Sequence, residues 1–264
     1  MREVIGFECQ GDRLAGTLDH AEGRTGLLIV SGGNEIRIGA HRGMASLAQR
    51  VAAAGYPVLR YDRRGIGDSE GENRGFRESG DDIAAAAQAF RQALPVERIV
   101  GFGNCDAATA VALFHQRAGI DALVLANPWV IETDSEMPPP AAIRARYAER
   151  LRDPRQWLRL ARGGVNIGKL VKGLARSAKS SGQDNSLVND MASALASSDA
   201  PTTILLAERD NTAIAFQEAF QRPAFLSMRA RAEVAVHETA SHSFAREGDA
   251  DWLFEKVIRA LTQP

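Results

Sequence analysis

Cys105, Asp210 and His242 occur in this chain in the order nucleophile, acid, base. A thiol attacks carbonyl carbon effectively once it has lost its proton, and an imidazole is suited to take that proton. A carboxylate behind the imidazole holds one ring tautomer and stabilises the charged form. Together the three residue types suit acyl chemistry through a covalent sulfur intermediate. Each stands just past an apolar run: Arg98 to Phe102 before Cys105, Thr203 to Ala207 before Asp210, and Val234 to His237 before His242. His237 is the competing histidine for the role of base. His237 falls within a strand alternation and reads as structural, and His115 and His20 read as bystanders.

The surroundings of Cys105 sharpen this reading. Arg98-Ile99-Val100-Gly101-Phe102 has the character of a short buried strand, and Ala107 to Gln116 is apolar on nearly every face, as a buried helix is. Gly103-Asn104-Cys105-Asp106-Ala107 is therefore a sharp strand-turn-helix corner, which points a reactive atom at the first amides of the helix. Small residues must flank the nucleophile there. Gly103 supplies one, and Ala107 stands where such corners usually carry a second glycine. An oxyanion formed on attack needs preorganised donors. The Asp106 amide is one candidate, and the loop Ser31-Gly32-Gly33-Asn34 offers the other, with Asn34 preferred to Gly33. That loop lacks both the G-x-G-x-x-G spacing and the lysine of a phosphate-binding loop. The Asp106 carboxylate opposes a neighbouring thiolate, and a position in the first helical turn accounts for it better than substrate recognition does. Asp62, in Tyr61 to Ser69, also follows a strand, but its loop is expected to be held by local hydrogen bonds and turns.

The elements that position these residues read as one α/β domain over 1–264. Strands are expected at Glu3 to Cys9 and Arg13 to Leu18 as a hairpin. Strands and helices then alternate through Leu27 to Val30, Pro57 to Tyr61, the Cys105 corner and Ala122 to Ala126. Such alternation predicts a mostly parallel central sheet with helices on both faces. It lapses over 131–198, after which it resumes and closes on a helix carrying Trp252, Leu253, Val257, Ile258 and Leu261. The interval 131–198 reads as a helical cap inserted between the sixth and seventh strands. Between Ala141 and Ser180 it holds eleven Lys or Arg against Glu149 and Asp153. Solvated helix faces explain many such runs, but Arg155 and Arg159 are candidates for attracting an anionic substrate.

Composition sets outer limits. A formal charge of −1 over 264 residues predicts no general affinity for nucleic acid or an anionic membrane. Neither a signal-like segment nor an apolar run of membrane-spanning length is visible, so a cytoplasmic protein without membrane insertion is expected. The two cysteines, Cys9 and Cys105, make a poor disulfide framework, and Cys9 at the end of an early strand reads as packing. Cys and His do not cluster at metal-ligand spacing, and no cofactor is expected.

These motifs resemble those of α/β hydrolases, and specifically of the hydrolase-1 family associated with exosortase A systems in exopolysaccharide-producing bacteria. The resemblance rests on Gly32 to Arg42, on Tyr61 to Gly71, on the cysteine corner and on Asn127-Pro128-Trp129-Val130. Asn34 stands where that family usually has proline, and Ala107 where it has glycine. The resemblance implies an α/β-hydrolase fold and a link to exopolysaccharide production, without fixing a substrate. The expected activity is cleavage of a carboxylic ester or thioester, small or carrier-bound, through an S-acyl Cys105. Dienelactone hydrolases are similar in using cysteine on this fold. So are polyhydroxyalkanoate synthases, which keeps acyl transfer to a hydroxyl or amine open. A non-catalytic binding module for acylated carriers is a third reading, against which an intact nucleophile, acid and base argue. The oligomeric state is not legible.

Overall fold

The computed structural model describes residues 1–131 and 186–263. Its framework is an eight-stranded sheet in the order β1-β2-β4-β3-β5-β6-β7-β8. The strands are β1 (Arg2–Cys9), β2 (Asp12–Asp19), β3 (Thr25–Val30), β4 (Val58–Tyr61), β5 (Arg98–Asn104), β6 (Ala122–Ala126), β7 (Thr202–Ala207) and β8 (Glu233–His237). β1 pairs antiparallel with β2, and β2 antiparallel with β4. From β4 through β8 every pairing is parallel. The mostly parallel sheet expected from the alternation is thus present, with the N-terminal hairpin as its antiparallel edge.

Helices α1 (Gly43–Ala53), α2 (Gly80–Ala93), α3 (Asp106–Ala118), α4 (Ser186–Ala196), α5 (Asn211–Phe220), α6 (Leu226–Arg231) and α7 (Asp249–Thr262) cover the sheet. The period-2 geometry of a strand divides neighbouring residues between two cores. Leu28, Val30, Leu123 and Leu125 pack with residues of α2, α3, α4 and α5 on one face. Leu27, Ile29, Val100, Phe102 and Val124 pack with residues of α1 and α7 on the other. Because both faces are covered, the central strands read as continuous apolar runs rather than alternating ones.

Most of the segment expected as a cap, including Arg155 and Arg159, lies outside the described residues. Its final part is α4, whose Val188, Met191, Ala192 and Leu195 are buried in the same core as α3. None of the helices among the described residues is long and apolar enough to cross a membrane.

Candidate active site

β5 ends at Asn104 and α3 begins at Asp106, so Cys105 alone makes the corner, at φ +62° and ψ −127°. A β-carbon is strained at positive φ, and such strain persists only where surrounding bonds over-determine the backbone. Here the Cys105 amide donates to the Ala126 carbonyl at 2.9 Å, and the Cys105 carbonyl accepts from the Trp129 amide at 3.1 Å. Close approach of strand and helix explains Gly103. A β-carbon there would lie 2.5 Å from the carbonyl carbon and oxygen of Ala107. Ala107 itself is fully buried, so its methyl group is accommodated.

Asp210 follows β7 and caps α5, its Oδ2 accepting from the amides of Thr212 and Ala213, both at 3.0 Å. The same Oδ2 lies 3.1 Å from His242 Nδ1, and the Cys105 side chain acts on the same imidazole. Three residues spread over nearly 140 positions of sequence therefore converge at the carboxyl end of the parallel strands. Burial would raise the Asp210 carboxyl, but the hydrogen bond and charge of His242 and the two helix amides outweigh it and hold it below its ordinary value. For His242 the hydrogen bond to Asp210 comes first and that to Cys105 second. Against the cost of burial, they push the imidazole up to about 10.

The neighbouring groups divide cleanly. The Asp106 amide opens α3 and has no acceptor within the helix, as the first amides of any helix do not. The Asp106 carboxylate accepts from the Gly33 amide at 2.6 Å. Arg63, buried, donates to the Gly33 carbonyl and lies 3.9 Å from the other carboxylate oxygen of Asp106. Nucleophile helix and glycine loop are thus fastened together, with the Gly33 amide engaged. Asn34 is exposed, its side-chain oxygen accepting from Asn73 at 3.0 Å. Gly32 permits this approach, since a β-carbon there would lie 2.6 Å from Asp106 Oδ1 and 2.8 Å from the Asn104 carbonyl.

His237 points elsewhere. Its Nε2 meets Asp249 at 2.9 Å, and its ring stacks on Trp252 at 4.6 Å between centroids. His115 is buried on α3, with burial pushing its imidazole below the ordinary value, and His20 pairs with Glu3. Asp62, fully buried, accepts from the Arg37 and Asp68 amides and from the Arg37 side chain, the local network expected of its loop. Cys9 is buried against Asp82, and burial first, with that charge second, pushes its thiol up to about 11. Among the described residues, three or more His, Cys, Asp or Glu side chains are nowhere grouped so as to hold a metal ion.

The model of the alpha/beta hydrolase family matches residues 27–256, a span that takes in Cys105, Asp210 and His242. The chain belongs to the alpha/beta hydrolase family. Solved structures similar to this α/β hydrolase include the esterase Pf2001 of Pyrococcus furiosus, at 17% identity and TM-score 0.66 over 99% of this chain and 89% of that one. The α/β hydrolase GrgF from Penicillium sp. sh18 is 20% identical with TM-score 0.66, over 99% and 98% of the two chains. A thioesterase domain from the curacin biosynthetic pathway is 16% identical with TM-score 0.59, over 98% and 99%. No curated protein sequence matches this chain. Two residues that the sequence reading did not assign to the site belong to its surroundings in this α/β hydrolase: Arg63, which binds the glycine loop, and Asn127, whose side chain lies between Asn104 and the His242 carbonyl. The signal for Asn127 was its place in Asn127-Pro128-Trp129-Val130, directly after a strand; for Arg63 only its arginine-rich loop was visible.

Proposed function

We propose that this α/β hydrolase cleaves a carboxylic ester or thioester through an S-acyl intermediate on Cys105. The supporting observation is the convergence of Cys105, His242 and Asp210, with His242 Nδ1 3.1 Å from Asp210 Oδ2, at a strand-helix corner held at positive φ. The sulfur, its proton having passed to His242, bonds to the acyl carbon. The Asp106 amide and the Asn34 amide of the glycine loop are assigned to the resulting oxyanion. The carbon-to-leaving-group bond then breaks, and the leaving alcohol or thiol takes the proton from His242. Water next gives a proton to His242 and its oxygen to the acyl carbon. The carbon-sulfur bond breaks, and a carboxylic acid is released. Asp210 holds the imidazole in the tautomer that both half-reactions need.

Arg63 offsets the Asp106 carboxylate beside the nucleophile, which otherwise opposes a negative sulfur. The esterase and thioesterase likenesses are consistent with acyl cleavage on this fold. The resemblance to the exosortase-associated hydrolases supports a link between this reaction and exopolysaccharide production. The test is to expose the purified protein to a panel of acyl esters and acyl thioesters and to read Cys105 by mass spectrometry. An acyl adduct on Cys105 that accumulates in His242→Ala or turns over in the native protein is expected. Turnover retained in Cys105→Ala would remove the reading.

A further inference from the structure

Asn127 stands at the end of β6, fully buried, with φ +41°. Asparagine is among the few residues that enter this left-handed region readily. Its side-chain Oδ1 accepts from the Ala207 amide at 2.8 Å, and its Nδ2 donates to the His242 carbonyl at 3.0 Å and to Asn104 Oδ1 at 3.2 Å. The partners fix which way the amide faces, because a backbone N–H can only donate and a backbone carbonyl can only accept. Its own amide donates to the Leu205 carbonyl at 2.8 Å. Ala207 is the last residue of the strand that delivers Asp210, and Asn104 directly precedes Cys105. One buried side chain therefore touches the segments that carry nucleophile, acid and base.

We propose that Asn127 is a positioning residue for the Cys105, His242 and Asp210 unit, setting where the imidazole stands relative to the sulfur. The inference rests on the catalytic reading above. The corner and the histidine loop are secured differently. Cys105 is held through backbone bonds to Ala126 and Trp129, which survive any side-chain change at 127. The His242 backbone is held toward the nucleophile strand through the Asn127 amide. Removing that amide frees the base while the nucleophile stays in place. A shift of about 1 Å in a reacting group commonly costs about a hundredfold in rate. A merely structural asparagine would lower stability and leave the chemistry of the remaining folded protein unchanged.

Two replacements separate these outcomes. Asn127→Gly keeps the left-handed backbone and deletes all three side-chain hydrogen bonds. Asn127→Asp keeps the size and the bond from Ala207, but sets a carboxylate oxygen against the His242 carbonyl. The readouts are turnover of an acyl substrate, thermal stability, and the rate of Cys105 alkylation by iodoacetamide as a function of pH, with native protein and His242→Ala as references. The expected result for folded Asn127→Gly is kcat lower by about a hundredfold with little change in KM. Its alkylation profile should move from the native one toward that of His242→Ala. If Asn127→Gly does not fold, the near-isosteric Asn127→Asp is read on the same axes. A folded variant with native kcat and a native profile, where His242→Ala alters both, overturns the inference and leaves the catalytic reading standing. A native profile in His242→Ala itself overturns the catalytic reading instead.

Discussion

Replacing Cys105 by alanine and, separately, by glycine isolates the backbone strain at the corner from the chemistry of the sulfur. Both variants lack the nucleophile and should be inactive, and both lose the hydrogen bond to His242, so these effects cancel between them. What differs is a β-carbon at φ +62° and ψ −127°. Holding a non-glycine residue in such a region costs about 1–3 kcal/mol. Glycine removes that cost but loses about 0.4–1 kcal/mol through the greater freedom of its unfolded chain. The difference favours Cys105→Gly over Cys105→Ala by about 1 kcal/mol, with neither substitution creating a cavity larger than the other by more than a methyl group. In a protein of this size that corresponds to roughly 2–4 °C in Tm. Paired thermal melts and urea titrations at one pH measure it directly. A glycine variant no more stable than the alanine variant would show that the corner is relaxed and that the reasoning about over-determined backbone is wrong.

The remaining expectations concern the base, its rival and the basic segment. Because His242 must be protonated to release the leaving group, and is held up to about 10 by Asp210 and Cys105, kcat/KM should fall only as pH rises through about 10. Asp210→Asn should move that alkaline limb down toward the ordinary imidazole value of 6.5, and an unmoved limb would contradict the assigned pair. The same coupling fixes the sign for stability: the His242 contribution is whole below 6.5 and is lost as pH rises through about 10, whereas that of Asp210 is present above 3.8 and is lost as pH falls through its depressed value. Titration of Tm in native protein and Asp210→Asn reads both limbs. His237→Ala should lower stability by about 1–3 kcal/mol by leaving buried Asp249 short of a partner, yet cost far less turnover than His242→Ala, for which a loss of about 10²–10⁴ is expected; equal losses would mean that the wrong histidine has been assigned. Arg155→Glu with Arg159→Glu should reduce kcat/KM for an anionic acyl donor more than for a neutral ester, with the gap closing in salt, and equal effects at every salt concentration would return those charges to solvation.

The sheet was legible because its signal is local. Runs such as Leu27 to Val30 and Ala122 to Ala126 carry their own evidence of being buried on both sides. The placement of Cys105, Asp210 and His242 just past strands was legible because each follows such a run, and the corner's need for a small residue is written in Gly103. The attachments between loops were not. The carboxylate of Asp106 carries every mark of an ordinary first-turn acid, and only the folded chain brings it to the Gly33 amide, 73 residues away. Asn127 and His242 are 115 residues apart, and no spacing rule links a strand-end asparagine to one backbone carbonyl in a distant loop. His237 was separable from His242 by its strand alternation, but its partner Asp249 was not, since that pairing depends on how α7 returns to the sheet.

The loop that carries His242 is tied to the start of α7. Asp249 accepts from Thr239 Oγ1 at 2.9 Å and from the Arg246 amide at 3.2 Å, while Trp252 stacks on both His237 and Phe244. In the order of synthesis, Cys105 and its helix emerge long before these residues do. A growing chain that has built the corner still lacks Asp210, His242 and the helix to which the His242 loop is tied. On the proposed reading its thiol therefore stays an unassisted cysteine while the chain is incomplete, and reactivity is thereby made conditional on completion of the fold.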